Sequence, residues 1–119
     1  MTDKATHDET EIHANCIFCK ITRGEVPAVK VYEDDDTLAF LDIHPNHRGH
    51  TLVISKHHFE NIYGLPAETL CRVILTAQKV AIALKQTVSA DGINIVMNNE
   101  SAAGQIIDHD HIHVIPRFN

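Results

Sequence analysis

Three histidines at alternating positions dominate the C-terminal run His109-Asp110-His111-Ile112-His113-Val114-Ile115-Pro116-Arg117. A period of two belongs to a strand, whose successive side chains point to opposite faces. Written as a strand, the run projects all three imidazoles from one face and turns Ile112 and Val114 into a core. The chain must therefore build a sheet with one face packed and one face carrying titratable rings.

The rest of the pattern supplies that sheet. A chain of 119 residues is long enough for one domain around one core. Residues 1–15 are polar, acidic and aperiodic and read as a disordered N-terminal tail in which His7 and His13 are inert, leaving 16–119 as the domain. Residues 16–21 suit a short helical turn stopped by Gly24. Strands are expected at 30–33 and 37–41, joined by the acidic turn Asp34-Asp35-Asp36 into a hairpin. A loop with Pro45, Asn46 and Gly49 follows, then a strand over 50–55 with Leu52 and Ile54 on one face. Leu70, Val73, Ile74, Ala77, Val80, Ala81 and Leu84 keep helical spacing after Pro66 and predict a long helix over 67–87. Cys71 falls near its apolar face and reads as core packing rather than a reactive thiol. A fourth strand is expected at 93–98, a loop at 100–105, and the histidine strand closes the sheet. The fold class is α+β: a five-stranded, mostly antiparallel sheet with one long helix and a short N-terminal helix.

Composition narrows the function classes. A net charge of −6 argues against a nucleic-acid partner held by a basic surface. No apolar run reaches the length of a membrane helix, and the N-terminus lacks a signal peptide's apolar region. Three cysteines, an odd number with no secretion signal, point to a reduced, cytoplasmic setting with thiols used for metal or packing.

Cys16-x-x-Cys19 is half of a tetrahedral zinc site, since two thiolates at that spacing chelate one ion. A dithiol redox motif is the competing reading, but its usual βαβ context is missing. Histidine would have to supply the other ligands. Cys16, Cys19, His58 and His109 form one such closed, structural set, which spacing alone leaves open. The triad admits two enzymatic readings. Either His109, His111 and His113 hold one catalytic metal, or one neutral imidazole attacks phosphorus while its far nitrogen is held protonated. Asn98, Asn99, Gln105 and the backbone N–H groups near Gly104 could serve the phosphate oxygens, which favours phosphoryl or nucleotidyl chemistry. Paired asparagines are also ordinary turn residues, and Gly104 alone is no phosphate loop.

His109-x-His111-x-His113-Val114-Ile115 after Gly104-Gln105 resembles the histidine triad (HIT) signature. The resemblance extends through Cys16-Ile17-Phe18-Cys19-Lys20-Ile21, Ala39-Phe40-Leu41-Asp42-Ile43, Gly49-His50-Thr51-Leu52-Val53-Ile54, Lys56-x-His58 and Asn98-Asn99. It is similar to the Hint branch, and within it to bacterial members with a Cys-x-x-Cys zinc site. The resemblance implies a homodimer pairing the long helix and one strand. It implies hydrolysis of nucleoside phosphoramidates, acyl-adenylates or related purine nucleotides through a nucleotidyl-histidine. His111 is then the nucleophile, His113 and Gln105 contact the phosphate, Asn99 supports it, and His50 lies beside the site. Gly104 and Ile106 belong to the same nucleotide-binding loop, and Asp42 binds the ribose. Phe18, Ile21, Phe40, Ile43 and Leu52 line the purine pocket, and structural zinc sits on Cys16, Cys19, His58 and His109. A dinucleoside polyphosphate hydrolase and a slow nucleotide-binding regulatory module are the alternatives.

Two departures stand out. Where many Hint relatives carry a serine thought to help protonate the leaving group, this chain has Ile106, so substrates that expel a better leaving group than an amine are expected. The slot between the first two histidines is usually apolar, and here it is Asp110, with Asp108 just before. Such an acid is expected beside the zinc, beside a basic residue, or raising a histidine's pKa.

Overall fold

The computed structural model describes residues 13–119; residues 1–12, with His7 and most of the stretch read as a tail, lie outside the described residues. Helix α1 (Ile17–Thr22) begins where the extended Cys16 accepts the amide of Cys19 on its sulfur at 3.4 Å. It stops at Arg23, beyond which Gly24 takes a φ of 80° that residues with a Cβ resist. Strands β1 (Lys30–Glu33) and β2 (Thr37–Leu41) form the hairpin, whose turn is capped by Asp34 Oδ1 accepting the amides of Asp36 and Thr37. Strand β3 (Thr51–Ser55), helix α2 (Ala67–Thr87), strand β4 (Gly92–Val96) and strand β5 (His111–Arg117) complete the fold. All four pairings are antiparallel, in the order β1-β2-β3-β5-β4. The fold is the α+β architecture expected from the sequence.

The sheet separates two apolar layers. On one face Val73, Ala77, Val80 and Leu84 of α2 pack onto Ala39, Val53, Ile112 and Val114. On the other, Phe18 and Ile21 of α1 cover Leu38, Phe40, Leu52 and Ile54. Full burial of side chains this size stabilises the fold by about 1.5–3 kcal/mol each. Strict alternation along β3 and β5 decides which residues reach which layer, so His111 and His113 share the face away from α2.

Three details differ from the sequence reading. Cys71 is exposed, not packed in the core, and Ile74 is also largely exposed. The buried stripe of α2 runs through Val73, Thr76, Ala77, Val80 and Leu84, while Ile74, Leu75 and Ile82 form a second apolar strip that blurs the periodicity. Thr76 is buried because its hydroxyl bonds that of Thr37 at 2.7 Å. Strand β4 ends at Val96 rather than residue 98, and β5 begins at His111, leaving His109 and Asp110 outside the ladder. Those two are held instead by their own bonds to the β3 end: the Asp110 amide donates to Phe59 O at 2.7 Å, and His109 Nε2–H to Ser55 O at 2.8 Å.

Candidate active site and metal cluster

The β3–β5 register sets Ile54 opposite His111 and Leu52 opposite His113. Both rings therefore rise beside the α1 layer and line a cavity of about 800 Å³, within the range of small-molecule sites. Phe18, Ile21, Phe40 and Leu52 form an apolar wall, and the Phe18 ring meets Phe40 and His111 edge-on at 5.5 and 5.1 Å. Asp42 and Ile43 stand on one rim, with Gly104 and Ile106 on the loop before β5. No lysine or arginine lies among the lining residues, whose polar side chains are Asp42, His44, Asn98, His111 and His113.

The imidazole protons can be assigned from their partners. His111 Nδ1 lies 2.7 Å from His109 O and must carry hydrogen to donate to it, which leaves Nε2 with its lone pair. His50 Nδ1 accepts the Asn46 amide at 3.0 Å, so its proton sits on Nε2 and is donated to His113 Nδ1, also at 3.0 Å. His113 then carries its own proton on Nε2. Asp42 Oδ2 lies 3.5 Å from the same His50 Nε2. Burial pushes His111 and His50 below the ordinary histidine value, and burial together with His111 and His50 takes His113 to about 4. All three rings are thus neutral at neutral pH. Asp42, His50 and His113 also converge closely enough to suggest a cation site. A cation there would have to replace the one proton of His50, so the arrangement reads as a hydrogen-bond relay.

Four other donors converge at the start of α1: Cys16, Cys19, His58 and His109. Cys16 Sγ lies 3.3 Å from His109 Nδ1, and Cys19 Sγ lies 3.4 Å from His58 Nδ1 and 3.6 Å from His109 Nδ1. Sulfur and nitrogen bound to one tetrahedral zinc stand roughly 3.6 Å apart by ordinary bond lengths. Ser55 O claims the Nε2 proton of His109, so Nδ1 faces the thiols unprotonated, as a ligand must. Burial lowers His109 to about 3 and His58 to about 4, keeping both neutral, and raises the Cys19 thiol to about 12 until a cation compensates. The set can hold a metal ion. His109 is turned into this cluster while His111 and His113 face the cavity, so the triad does not converge on one ion.

His13 was expected in an inert tail. Its ring stacks on that of His58 at 3.7 Å, and its amide donates to Cys19 Sγ at 3.3 Å. Two other residues expected at the site are engaged with the backbone around it. Gln105 is buried, with Oε1 accepting the Glu100 amide and Nε2 donating to Glu60 O and Ile107 O. Asn99 Oδ1 accepts the Ile62 amide, and its Nδ2 donates to Met97 O. Neither lines the cavity; both brace the loop that carries Gly104, and Asn98 reaches the cavity instead. The expected wall also lacks the segment Val26-Pro27-Ala28-Val29, which lines one side. Its only signal in the sequence is apolar character ahead of β1.

Among the described residues Asp110 pairs with no lysine or arginine and lies instead beside the cluster, next to His109. It is 1% exposed, with Oδ1 2.5 Å from Ser55 Oγ, Oδ2 accepting the Ser55 amide at 3.3 Å, and Oδ1 4.0 Å from His109 Nε2. Ser55 Oγ is also 2.7 Å from His57 O. One hydroxyl proton cannot serve two acceptors, so a protonated Asp110 completes the chain from Asp110 to Ser55 to His57. Burial drives the carboxyl up to about 7, in the same direction.

Comparison with known proteins matches residues 23–119 to the HIT domain family. An uncharacterised HIT-like protein of Methanocaldococcus jannaschii is 50% identical over 103 residues, covering 87% of this chain and 79% of that one. An adenosine 5'-monophosphoramidase of Candida albicans is 39% identical over 109 residues, covering 88% and 72%. The crystal structure of a Zn-bound histidine triad family protein from Mycobacterium smegmatis superposes with a TM-score of 0.86 at 43% identity, covering 88% of this chain and 76% of that one. On the matched span, the identities and the shared fold, this chain belongs to the HIT domain family.

Proposed function

We propose that the protein hydrolyses purine nucleotides bearing a P–N or phosphoanhydride bond, with nucleoside phosphoramidates and acyl-adenylates as the substrate classes. His111 Nε2 attacks phosphorus, the bond to the leaving group breaks, and a nucleotidyl-histidine forms. Water then attacks that phosphorus, releasing the nucleotide and restoring the ring. The observation that carries this reading is the bond from His111 Nδ1 to His109 O, which fixes the tautomer with a lone pair at Nε2. His113 Nε2–H donates to a phosphate oxygen, and His50 keeps that tautomer in place. Asp42 accepts from the ribose hydroxyls, and the apolar wall of Phe18, Ile21, Phe40, Ile43 and Leu52 takes the base. The Candida relative's activity supports the substrate class.

Zinc, held by Cys16, Cys19, His58 and His109, would tie α1 to the β3 end and the β5 start; a closed four-ligand set of this kind is structural. We also assign a cytoplasmic homodimer built on α2 and the edge strand β4, where Ile74, Leu75, Ile82, Ile95 and Val96 are exposed. The test of the chemistry is turnover of adenosine 5'-phosphoramidate by the wild type and His111→Ala, with mass spectrometry of the rapidly quenched protein. An adenylyl adduct on the wild type and loss of nearly all turnover in the variant are expected. Turnover within about tenfold of wild type in His111→Ala removes the nucleophile from this account.

A further inference from the structure

We infer that Asp110 is a positioning residue for the metal cluster, fixing the two histidine donors His58 and His109 relative to one another through Ser55 and Phe59. The inference rests on the reading that the cluster holds a metal. His109 immediately precedes Asp110, whereas His58 sits in the short connection after β3. Asp110 binds that connection on both sides of His58. Its carboxyl meets the amide and hydroxyl of Ser55, and its own amide donates to Phe59 O at 2.7 Å. Ser55 extends the grip, since its hydroxyl reaches His57 O and its carbonyl accepts His109 Nε2–H. Side chain and backbone of Asp110 thus act together: the carboxyl holds Ser55, whose carbonyl sets which way His109 turns, and the amide holds Phe59, one residue past His58.

A carboxyl 1% exposed is unfavourable to bury, and an apolar side chain in that slot would avoid the desolvation. What the carboxyl provides is a pair of directed bonds, both to Ser55, beside the amide's own bond to Phe59. Outer partners of metal ligands act in this way: they hold ring orientation, and losing one weakens metal affinity about 10- to 100-fold.

The arrangement also specifies which substitution is tolerated. An asparagine at 110 can place its NH₂ where Oδ1 lies, donating to Ser55 Oγ, and accept the Ser55 amide on its oxygen. Alanine can do neither.

Zinc affinity, measured by competition with a chromophoric chelator, and the cobalt(II) absorption spectrum of the full-length protein test this. Asp110→Ala and Ser55→Ala should each weaken zinc about 10- to 100-fold and alter the cobalt bands. Combining them should add little, because they act as one unit. Asp110→Asn should stay near the wild type. Leu84→Ala, a cavity at the opposite, Gly49 end of the α2-side core, serves as the control for general loosening. Wild-type affinity in Asp110→Ala or in Ser55→Ala overturns the inference. So does an affinity loss in Leu84→Ala as large as theirs, or Asp110→Asn as weak as Asp110→Ala. If Asp110→Ala does not fold, Ser55→Ala decides alone. A wild-type protein that takes up no metal rejects the underlying metal reading, an outcome distinct from variants that all bind as the wild type does.

Discussion

His50 orients His113 through a single proton: His50 Nε2 lies 3.0 Å from His113 Nδ1, and the Asn46 amide at His50 Nδ1 leaves that proton nowhere else to go. His50 is itself buried and does not line the cavity. Removing it frees the His113 ring to take either tautomer. His50→Ala should therefore lower kcat about 10- to 100-fold with a smaller change in KM, because the lost bond matters most as charge develops on the phosphate. Glutamine at 50 can offer an amide hydrogen near the Nε2 position and should recover part of the loss. Steady-state kinetics on both variants check this, and a His50→Gln no better than His50→Ala counts against the proton assignment.

Removing the metal should destabilise the fold more than it alters its secondary structure. The cluster joins α1 to both the β3 end and the β5 start, three points far apart in sequence. A ligand present at a hundred times its dissociation constant stabilises by about 2.7 kcal/mol, so chelation should lower Tm by on the order of 10 °C. Cys19→Ser should imitate chelation and leave nothing further to remove. Calorimetry with and without chelator measures both, and equal Tm values would mean that the cluster contributes no stability.

Much of this architecture was legible beforehand. The bounds of β1, β2 and α2 followed from turn residues and apolar spacing, because local chemistry sets them. The division of the triad was less legible. Period-two spacing makes His109, His111 and His113 look equivalent, yet His109 lies before the ladder and turns toward Cys16 and Cys19 through bonds to residues more than fifty positions away. For Asn99 and Gln105 the type of amide is visible in sequence, but not the backbone partners that hold it: Ile62 and Met97 for one, Glu60, Glu100 and Ile107 for the other. Cys71 was misplaced because α2 carries two apolar strips and only one is buried.

Gly49 should tolerate no side chain. Its φ is 90°, and a Cβ there would stand 2.9 Å from Leu84 Cδ2. Gly49→Ala adds left-handed backbone strain to a clash with the α2 core, together on the order of 1–3 kcal/mol. The loop it ends leads directly into His50, so kcat should fall as well. Chemical denaturation gives the first effect, and an unchanged midpoint would show that the loop relaxes freely.

Acid should destabilise the metal-free protein, mainly through histidine. Burial holds His113 and His58 at about 4 and His109 at about 3, against an unfolded value near 6.5. Between those limits the unfolded chain binds protons that the folded chain does not, so stability is complete above about pH 6.5 and falls as pH drops toward 4. Each such group removes up to about 1.4 kcal/mol per pH unit. Asp110 acts in the opposite sense. Its folded value of about 7 lies above its unfolded one, so its contribution is complete at low pH and is lost as pH rises through 7. Three histidines outweigh one carboxyl, and the net change on acidification is a loss. Denaturant midpoints at pH 7 and pH 5 decide the point; a higher midpoint at pH 5 would mean that Asp110 governs the balance.

Ile106 should set the preferred leaving group. It is 88% exposed, lines the cavity that His111 and His113 face, and has no side-chain hydrogen to give. An amine leaves phosphorus only once protonated, whereas a carboxylate leaves as the anion. Without a donor at this position, the wild type should process an acyl-adenylate with a kcat/KM above that for adenosine 5'-phosphoramidate, by about tenfold or more given what a positioned acid contributes. Ile106→Ser supplies a hydroxyl and should raise turnover of the phosphoramidate selectively, narrowing the ratio while leaving the acyl-adenylate nearly unchanged. The comparison is internal to each protein, so a general effect of the substitution on folding cancels. Wild-type values equal within about threefold, or a preference for the amine, remove Ile106 as the determinant.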